Sequence, residues 1–200
     1  MYKKTNVIAF STLITVYDDF ISSECCSKLF DFCKGKEIKC NQQFVGNGSS
    51  YFSLSSYILD EIEKEKIVKL NLKSKIQEVL SDYSCKFGIN PVKITNSWFN
   101  FQEKESILKN HSHENSIFSG ALYLNANENS SQICFENPNP FISYFNFENS
   151  IINPNNFSSK FFKVQPKTGQ LIIFPSWINH GSNYEKNNMK GRLVLSFNSI

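Results

Sequence analysis

A mainly β domain braced by helices in its first half is what this chain of 200 residues predicts, on three observations. Apolar residues step by three and four in two stretches before residue 88, the period of a helix face. From Val92 onward they alternate in short runs, the period of strands. Between those runs Gly, Pro, Asn and Ser gather, as turns between short strands demand.

Taken in order, Asn6 to Val16 predicts an edge strand. It carries hydroxyl residues, lacks a small-residue cleavage site and runs into Asp18 and Asp19, unlike a secretory leader. Ser22 or Ser23 caps a first helix with Cys26, Leu29, Phe30 and Cys33 on one side and Gly35 as its stop. Asn41 to Ser56, rich in Gly, Ser, Asn and aromatics, predicts a loop or short hairpin near the mouth of a site. Glu61 to Lys75 interleaves Lys with Glu and reads as a solvated helix face. Leu72, Ile76, Val79, Tyr83 and Phe87 mark an amphipathic helix to about Lys86, ending before Asn90-Pro91.

In the second half, strands are expected at Val92 to Trp98, Ile117 to Leu124, Ile133 to Phe135, Leu171 to Phe174 and Arg192 to Asn198. Asn137 to Phe157 reads as a long exposed loop and a candidate substrate lid.

Composition narrows the function classes. With 40% hydrophobic and 14% aromatic residues the chain can bury a core. The net charge of +3 arises from 21 basic and 18 acidic residues without a long basic run, so nucleic acid is not indicated as a partner. No apolar run reaches the roughly 18 residues that a membrane span needs. Six cysteines without a C-x-x-C pair point to free thiols and a cytoplasmic setting.

Chemistry concentrates in the three histidines, His111, His113 and His180. Positions two apart on a strand share a face, so His111 and His113 can aim at one point, with His180 completing a three-nitrogen metal site. Arg192 opens the last expected strand. A strand arginine that is buried implies a carboxylate held by its planar fork. Imidazole suits zinc, copper and iron alike, so the ligands alone do not choose the metal.

S-W-F-N at Ser97 to Asn100, H-S-H at His111 to His113, S-G-A-L-Y-L-N at Ser119 to Asn125, G-Q-L-I-I-F-P-S-W-I-N-H at Gly169 to His180 and R-L-V-L-S-F-N at Arg192 to Asn198 follow in order. In these segments the chain resembles the Fe(II)- and 2-oxoglutarate-dependent oxygenases, in particular an H-x-H subfamily of the prolyl-hydroxylase-like branch. The resemblance is strong in the second half and holds in outline in the first. It implies a double-stranded β-helix (jelly-roll, cupin-like) core over residues 92–200, with residues 1–91 as strand and helix support in a single oxygenase domain of 1–200. It further implies Fe(II) and 2-oxoglutarate as cofactors, O2 as cosubstrate, and hydroxylation of a small-molecule or peptidyl substrate with release of succinate and CO2.

Residue by residue, the resemblance makes His111, His113 and His180 the metal ligands, with no catalytic side chain beyond them. Arg192 and Tyr123 would bind the far carboxylate of 2-oxoglutarate, and Asn100, Ser119 and Ser196 would line its pocket. The wider superfamily pairs its histidines with a carboxylate where this chain has His113, and Glu114 is the alternative third ligand. A three-histidine metalloenzyme without 2-oxoglutarate, or a degenerate cupin-like binding domain, is the alternative reading; Arg192 and Tyr123 favour the oxygenase.

Overall fold

The computed structural model describes residues 4–5, 11–46, 48–140, 142 and 151–200. A short strand, β1 (Thr15–Tyr17), precedes helix α1 (Ser23–Lys34). The Ser22 hydroxyl accepts from Cys25 N at 3.3 Å, and Gly35 N donates to the final carbonyls of the helix, as expected of a cap and a stop. Three small strands follow, β2 (Ile38–Cys40), β3 (Phe44–Gly46) and β4 (Ser50–Ser53). The segment expected as a loop or hairpin is thus more ordered, because β2 and β4 pair with each other and β4 joins the main sheet.

The charged stretch from Glu61 to Lys75 does not form one solvated helix. Helix α2 (Ile58–Lys64) ends there, and α3 (Leu72–Lys86) starts afresh. Between them Lys66 takes a left-handed φ of 51° and Val68 turns inward to 7% exposure. Ile58, Leu59 and Ile62 bury one side of α2, and Leu72, Ile76, Leu80 and Tyr83 bury one side of α3. Leu80 thus takes the buried position that the sequence spacing assigned to Val79, and Phe87 stays partly exposed as the cap.

The remaining strands are β5 (Ile94–Gln102), β6 (Ser106–Leu108), β7 (Phe118–Asn125), β8 (Ile133–Glu136), β9 (Phe161–Val164), β10 (Leu171–Pro175), β11 (His180–Gly181) and β12 (Arg192–Ser199). Seven strands form an antiparallel sheet in the order β1-β10-β7-β12-β5-β4-β2. A smaller sheet, β11-β8-β9, and the pair β3-β6 complete the β structure. The expected edge strand survives as β1 at one border of the large sheet, while 6–10 lie outside the described residues. The expected lid falls partly outside them too, at 141 and 143–150; its described part is mostly exposed and holds no strand.

The two faces of the large sheet do different things. Phe99, Phe118, Leu122, Leu124, Leu171, Ile173, Leu193, Leu195 and Phe197 project into a core shared with the three helices. Their alternates Ala121, Tyr123, Ile172, Phe174 and Val194 project the other way and meet Ile133 and Phe135 of the small sheet. Strand alternation thus gives every central strand one helix-facing and one site-facing edge. The result is two facing sheets, the double-stranded β-helix expected, with helices bracing one outer face. Among the described residues no helix is long and apolar enough to cross a membrane.

Candidate active site

His180 stands on β11, reached from β10 through a turn in which Ile178 N donates to Pro175 O at 3.1 Å. His111 lies opposite: His111 N donates to His180 O and His180 N to His111 O, both at 2.9 Å. A Cβ on Gly181 would come within 2.4 Å of Asn110 Oδ1 and 2.9 Å of the Asn110 backbone, so the absent side chain is what lets the two segments close. His113 N donates to Ser176 O at 2.9 Å. The placement of His111 and His113 on a regular strand is corrected here. β6 ends at Leu108, and His111 is held by one isolated bridge to His180. The segment is nevertheless pinned by backbone hydrogen bonds at both histidines, and the rings converge.

Ring centroids lie 5.2 Å apart for His111 and His113, 4.5 Å for His111 and His180, and 5.1 Å for His113 and His180. One ligand nitrogen from each falls within 4.8 Å of the others. Glu114 is exposed and outside this cluster. Each Nδ1 is engaged by an oxygen: His111 by Lys109 O at 2.9 Å, His180 by Ile178 O at 3.0 Å, His113 by Asn198 Oδ1 at 2.5 Å. Carbonyl oxygens accept and do not donate, so the proton resides on Nδ1 and the Nε2 lone pairs are free for a metal. Burial depresses all three imidazole pKa values, that of His180 to about 3, and so keeps the rings neutral. Phe174 packs against His180 with centroids 4.6 Å apart, which makes it core support, while Trp177 stands at the rim, 55% exposed.

Arg192 is 4% exposed at the start of β12. Its Nη1 donates to Gln102 Oε1, and its guanidinium carbon lies 5.2 Å from the centroid of the Tyr123 ring. Its Nε is buried without a partner, and among the described residues no carboxylate forms an ion pair with it. Burial lowers the Arg192 pKa and raises that of Tyr123, and each group opposes the other's shift. Tyr123 and the charge of Glu185 offset the cost of burying this cation only in part, and an anionic ligand in direct contact would offset more of it.

The expected residues divide into two groups. Asn100, Tyr123, Arg192 and Ser196 line one cavity together with the three histidines. Ser119 sits beneath His113, where its hydroxyl lies 3.0 Å from Nδ1, 2.7 Å from Ser176 Oγ and 2.7 Å from Asn198 Oδ1. Sequence reasoning missed Asn198, Gln102 and Ser176. Asn198 alternates with Arg192, and Gln102 alternates with Trp98 and Asn100, a signal that was readable. Nothing local marks Ser176.

The residues present fit a divalent metal beside a dicarboxylate: three neutral imidazoles with free lone pairs share a cavity with a buried guanidinium that lacks an anion.

Comparison with known proteins agrees. Residues 96–198 match a family model described as "Putative 2OG-Fe(II) oxygenase". No curated protein matches the sequence. Among solved structures, an oxidoreductase of the 2OG-Fe(II) oxygenase family from Burkholderia pseudomallei superposes with a TM-score of 0.65 at 10% identity, covering 93% of this chain and 84% of that one. HygX from Streptomyces hygroscopicus, with nickel and 2-oxoglutarate bound, gives 0.59 at 9% identity over 94% and 82%. A prolyl hydroxylase from Trichoplax adhaerens, in complex with a hypoxia inducible factor peptide fragment, gives 0.60 at 14% identity over 92% and 83%.

Proposed function

Since the chain belongs to the 2OG-Fe(II) oxygenase family, we propose that His111, His113 and His180 hold its Fe(II) and that Arg192, with Tyr123, binds the far carboxylate of 2-oxoglutarate. It is a 2-oxoglutarate-dependent oxygenase, an oxidoreductase that uses O2. The single observation that carries the residue assignment is Arg192, buried without an anion in the cavity that the three imidazoles face. A zinc-only site has no need of it.

Bound iron and 2-oxoglutarate would let O2 act as the oxidant, 2-oxoglutarate giving two of the four electrons that O2 takes and leaving as succinate and CO2, and the prime substrate giving the other two. The chain's own contribution is placement. Lys109 O, Ile178 O and Asn198 Oδ1 fix the imidazole tautomers, so the three Nε2 atoms would be left to hold the metal. Arg192 and Tyr123 orient the dicarboxylate, while Phe174, Val194 and Ile133 line the wall and exclude water.

Prime substrate approaches, in this reading, along a wider groove that meets the cavity at Gln43, Trp98 and His113. Asn41, Gln42, Asn96 and Ser112 lie on its walls, and Lys39 and Glu114 are the charged residues among those lining it. Amides, hydroxyls and an indole face suit an uncharged, hydrogen-bonding substrate, small molecule or peptide, with hydroxylation as the outcome. Residues 1–200 act as one catalytic domain, and the six free cysteines support a cytoplasmic setting.

Anaerobic titration tests the assignment. Fe(II) plus 2-oxoglutarate should give a weak visible charge-transfer band. Absence of the band, with stoichiometric zinc retained on purification, would favour a three-histidine zinc site instead.

A further inference from the structure

Gln102 faces Arg192 directly across the β5–β12 ladder, and Ser50 faces Gln102 across β4–β5, so the three form a row on one face of the sheet. All are buried, at 4%, 2% and 2% exposure for Arg192, Gln102 and Ser50. A guanidinium has donors and no acceptor, so the Gln102 atom that meets Arg192 Nη1 is Oε1, and the amide orientation is fixed by that chemistry. Nε2, with two N–H groups, is thereby turned away from Arg192. It donates in no hydrogen bond among the described residues, the unpartnered Ser50 Oγ does not take it, and it is not among the buried unpartnered atoms, so it opens onto the cavity that Gln102 lines. Gln102 lines the same cavity as Arg192 and Tyr123.

Of the four buried side-chain polar atoms without a partner among the described residues, two, Arg192 Nε and Ser50 Oγ, belong to this row. Of the three residues only Arg192 and Gln102 line the cavity, and the unmade hydrogen bonds there, Arg192 Nε–H and the two N–H groups of Gln102 Nε2, are all donors by necessity, which suits an acceptor-rich group.

We propose that Gln102 is a cosubstrate-binding residue: its Oε1 holds Arg192 in place while its Nε2 donates to the carboxylate that Arg192 binds. This rests on the assignment of Arg192 to the far carboxylate of 2-oxoglutarate. A strand glutamine thus serves as both brace and ligand, and the pocket reads the carboxylate with a neutral donor as well as a charged one.

The experiment titrates 2-oxoglutarate into the anaerobic Fe(II)-loaded wild type, Gln102→Met and Gln102→Glu, with 2-oxobutanoate, which lacks the far carboxylate, as a second probe. A displacement assay with labelled 2-oxoglutarate reads affinity independently of turnover. Gln102→Met should bind 2-oxoglutarate about ten- to a hundredfold more weakly, the span of a lost hydrogen bond to a charged group, and 2-oxobutanoate as the wild type does. Gln102→Glu should be weaker still for 2-oxoglutarate, because its carboxylate occupies Arg192 and repels the ligand. That near-isosteric variant decides the matter if Gln102→Met fails to fold. Wild-type affinity for 2-oxoglutarate in either variant, or equal loss for both probes, overturns the role of Gln102. A wild type that takes up Fe(II) but no 2-oxoglutarate instead overturns the Arg192 assignment on which it stands.

Discussion

Asn198 Oδ1 lies 2.5 Å from His113 Nδ1, joining the last strand to the histidine that stands where the wider superfamily has a carboxylate. Ser119 Oγ donates to the same oxygen at 2.7 Å, and Ser176 closes the group through Ser119. In the proposed assignment the position offers a neutral ligand in place of an anion, and this polar group sets its tautomer and angle. Removing the acceptor lets the proton move to Nε2 and the ring rotate. Asn198→Leu should therefore weaken Fe(II) binding by roughly 10–100-fold, the usual effect of losing such an outer partner. Asn198→Asp, which keeps an acceptor, should retain iron. Competition against a metal-binding dye under anaerobic conditions measures both.

His113→Ala should lose metal affinity about as severely as His111→Ala, because each supplies one of three converging nitrogens. Glu114→Ala should be mild, its side chain being exposed and outside the cluster. His113→Asp restores the two-histidine, one-carboxylate triad and should keep iron. Metal analysis after dialysis checks the series; a silent His113→Ala with a depleted Glu114→Ala would reverse the ligand assignment.

Arg192→Met keeps length and apolar packing but removes the cationic fork. Affinity for 2-oxoglutarate should fall by roughly one to two orders of magnitude, from about 1.5–3 kcal/mol of charge-assisted bonding. Fe(II) affinity should change little. Tyr123→Phe should give a smaller loss in the same direction. Unchanged 2-oxoglutarate binding by a folded Arg192→Met protein would remove the anchor from this pocket.

Gly120 on β7 lies against the Phe197 ring of β12, and a Cβ there would stand 2.2 Å from the ring. Phe197 is fully buried in the helix-side core, so the ring cannot swing out to solvent. Gly120→Ala should destabilise the fold by about 1–3 kcal/mol, the range for overpacking. Urea unfolding should show a lower midpoint with an unchanged slope.

Burial pushes the thiols of Cys26, Cys33 and Cys134 up to about 11, 12 and 11, whereas Cys40 and Cys85 are exposed. The thiolate is the reactive form, so a raised pKa means resistance that persists as pH climbs from neutral towards 11. Iodoacetamide on the native protein should label Cys40 and Cys85 first, and Cys26, Cys33 and Cys134 should appear only on unfolding. Peptide mapping by mass spectrometry reads the order.

Much of this arrangement was written locally. Strand alternation alone put Arg192 and Ser196 on one face, and the capping serine, the terminal glycine and the helical period bounded α1 and α3. The motif order picked out the three histidines that the structure gathers. What the sequence could not carry was anything decided by a partner distant along the chain. The helix break after Lys64 follows from Val68 turning into the core. Strands of two to four residues such as β3, β6 and β11 exist only because another segment supplies their hydrogen bonds, and so carry no period of their own. Ser119 went to His113 because Asn198 and Ser176 meet it there from two other segments. Gln102 acquires its meaning only when β5 lies beside β12. Side-chain type and period are local properties, whereas register across strands is set by the packing of the whole sheet, and it is register that turns a polar residue into part of a site.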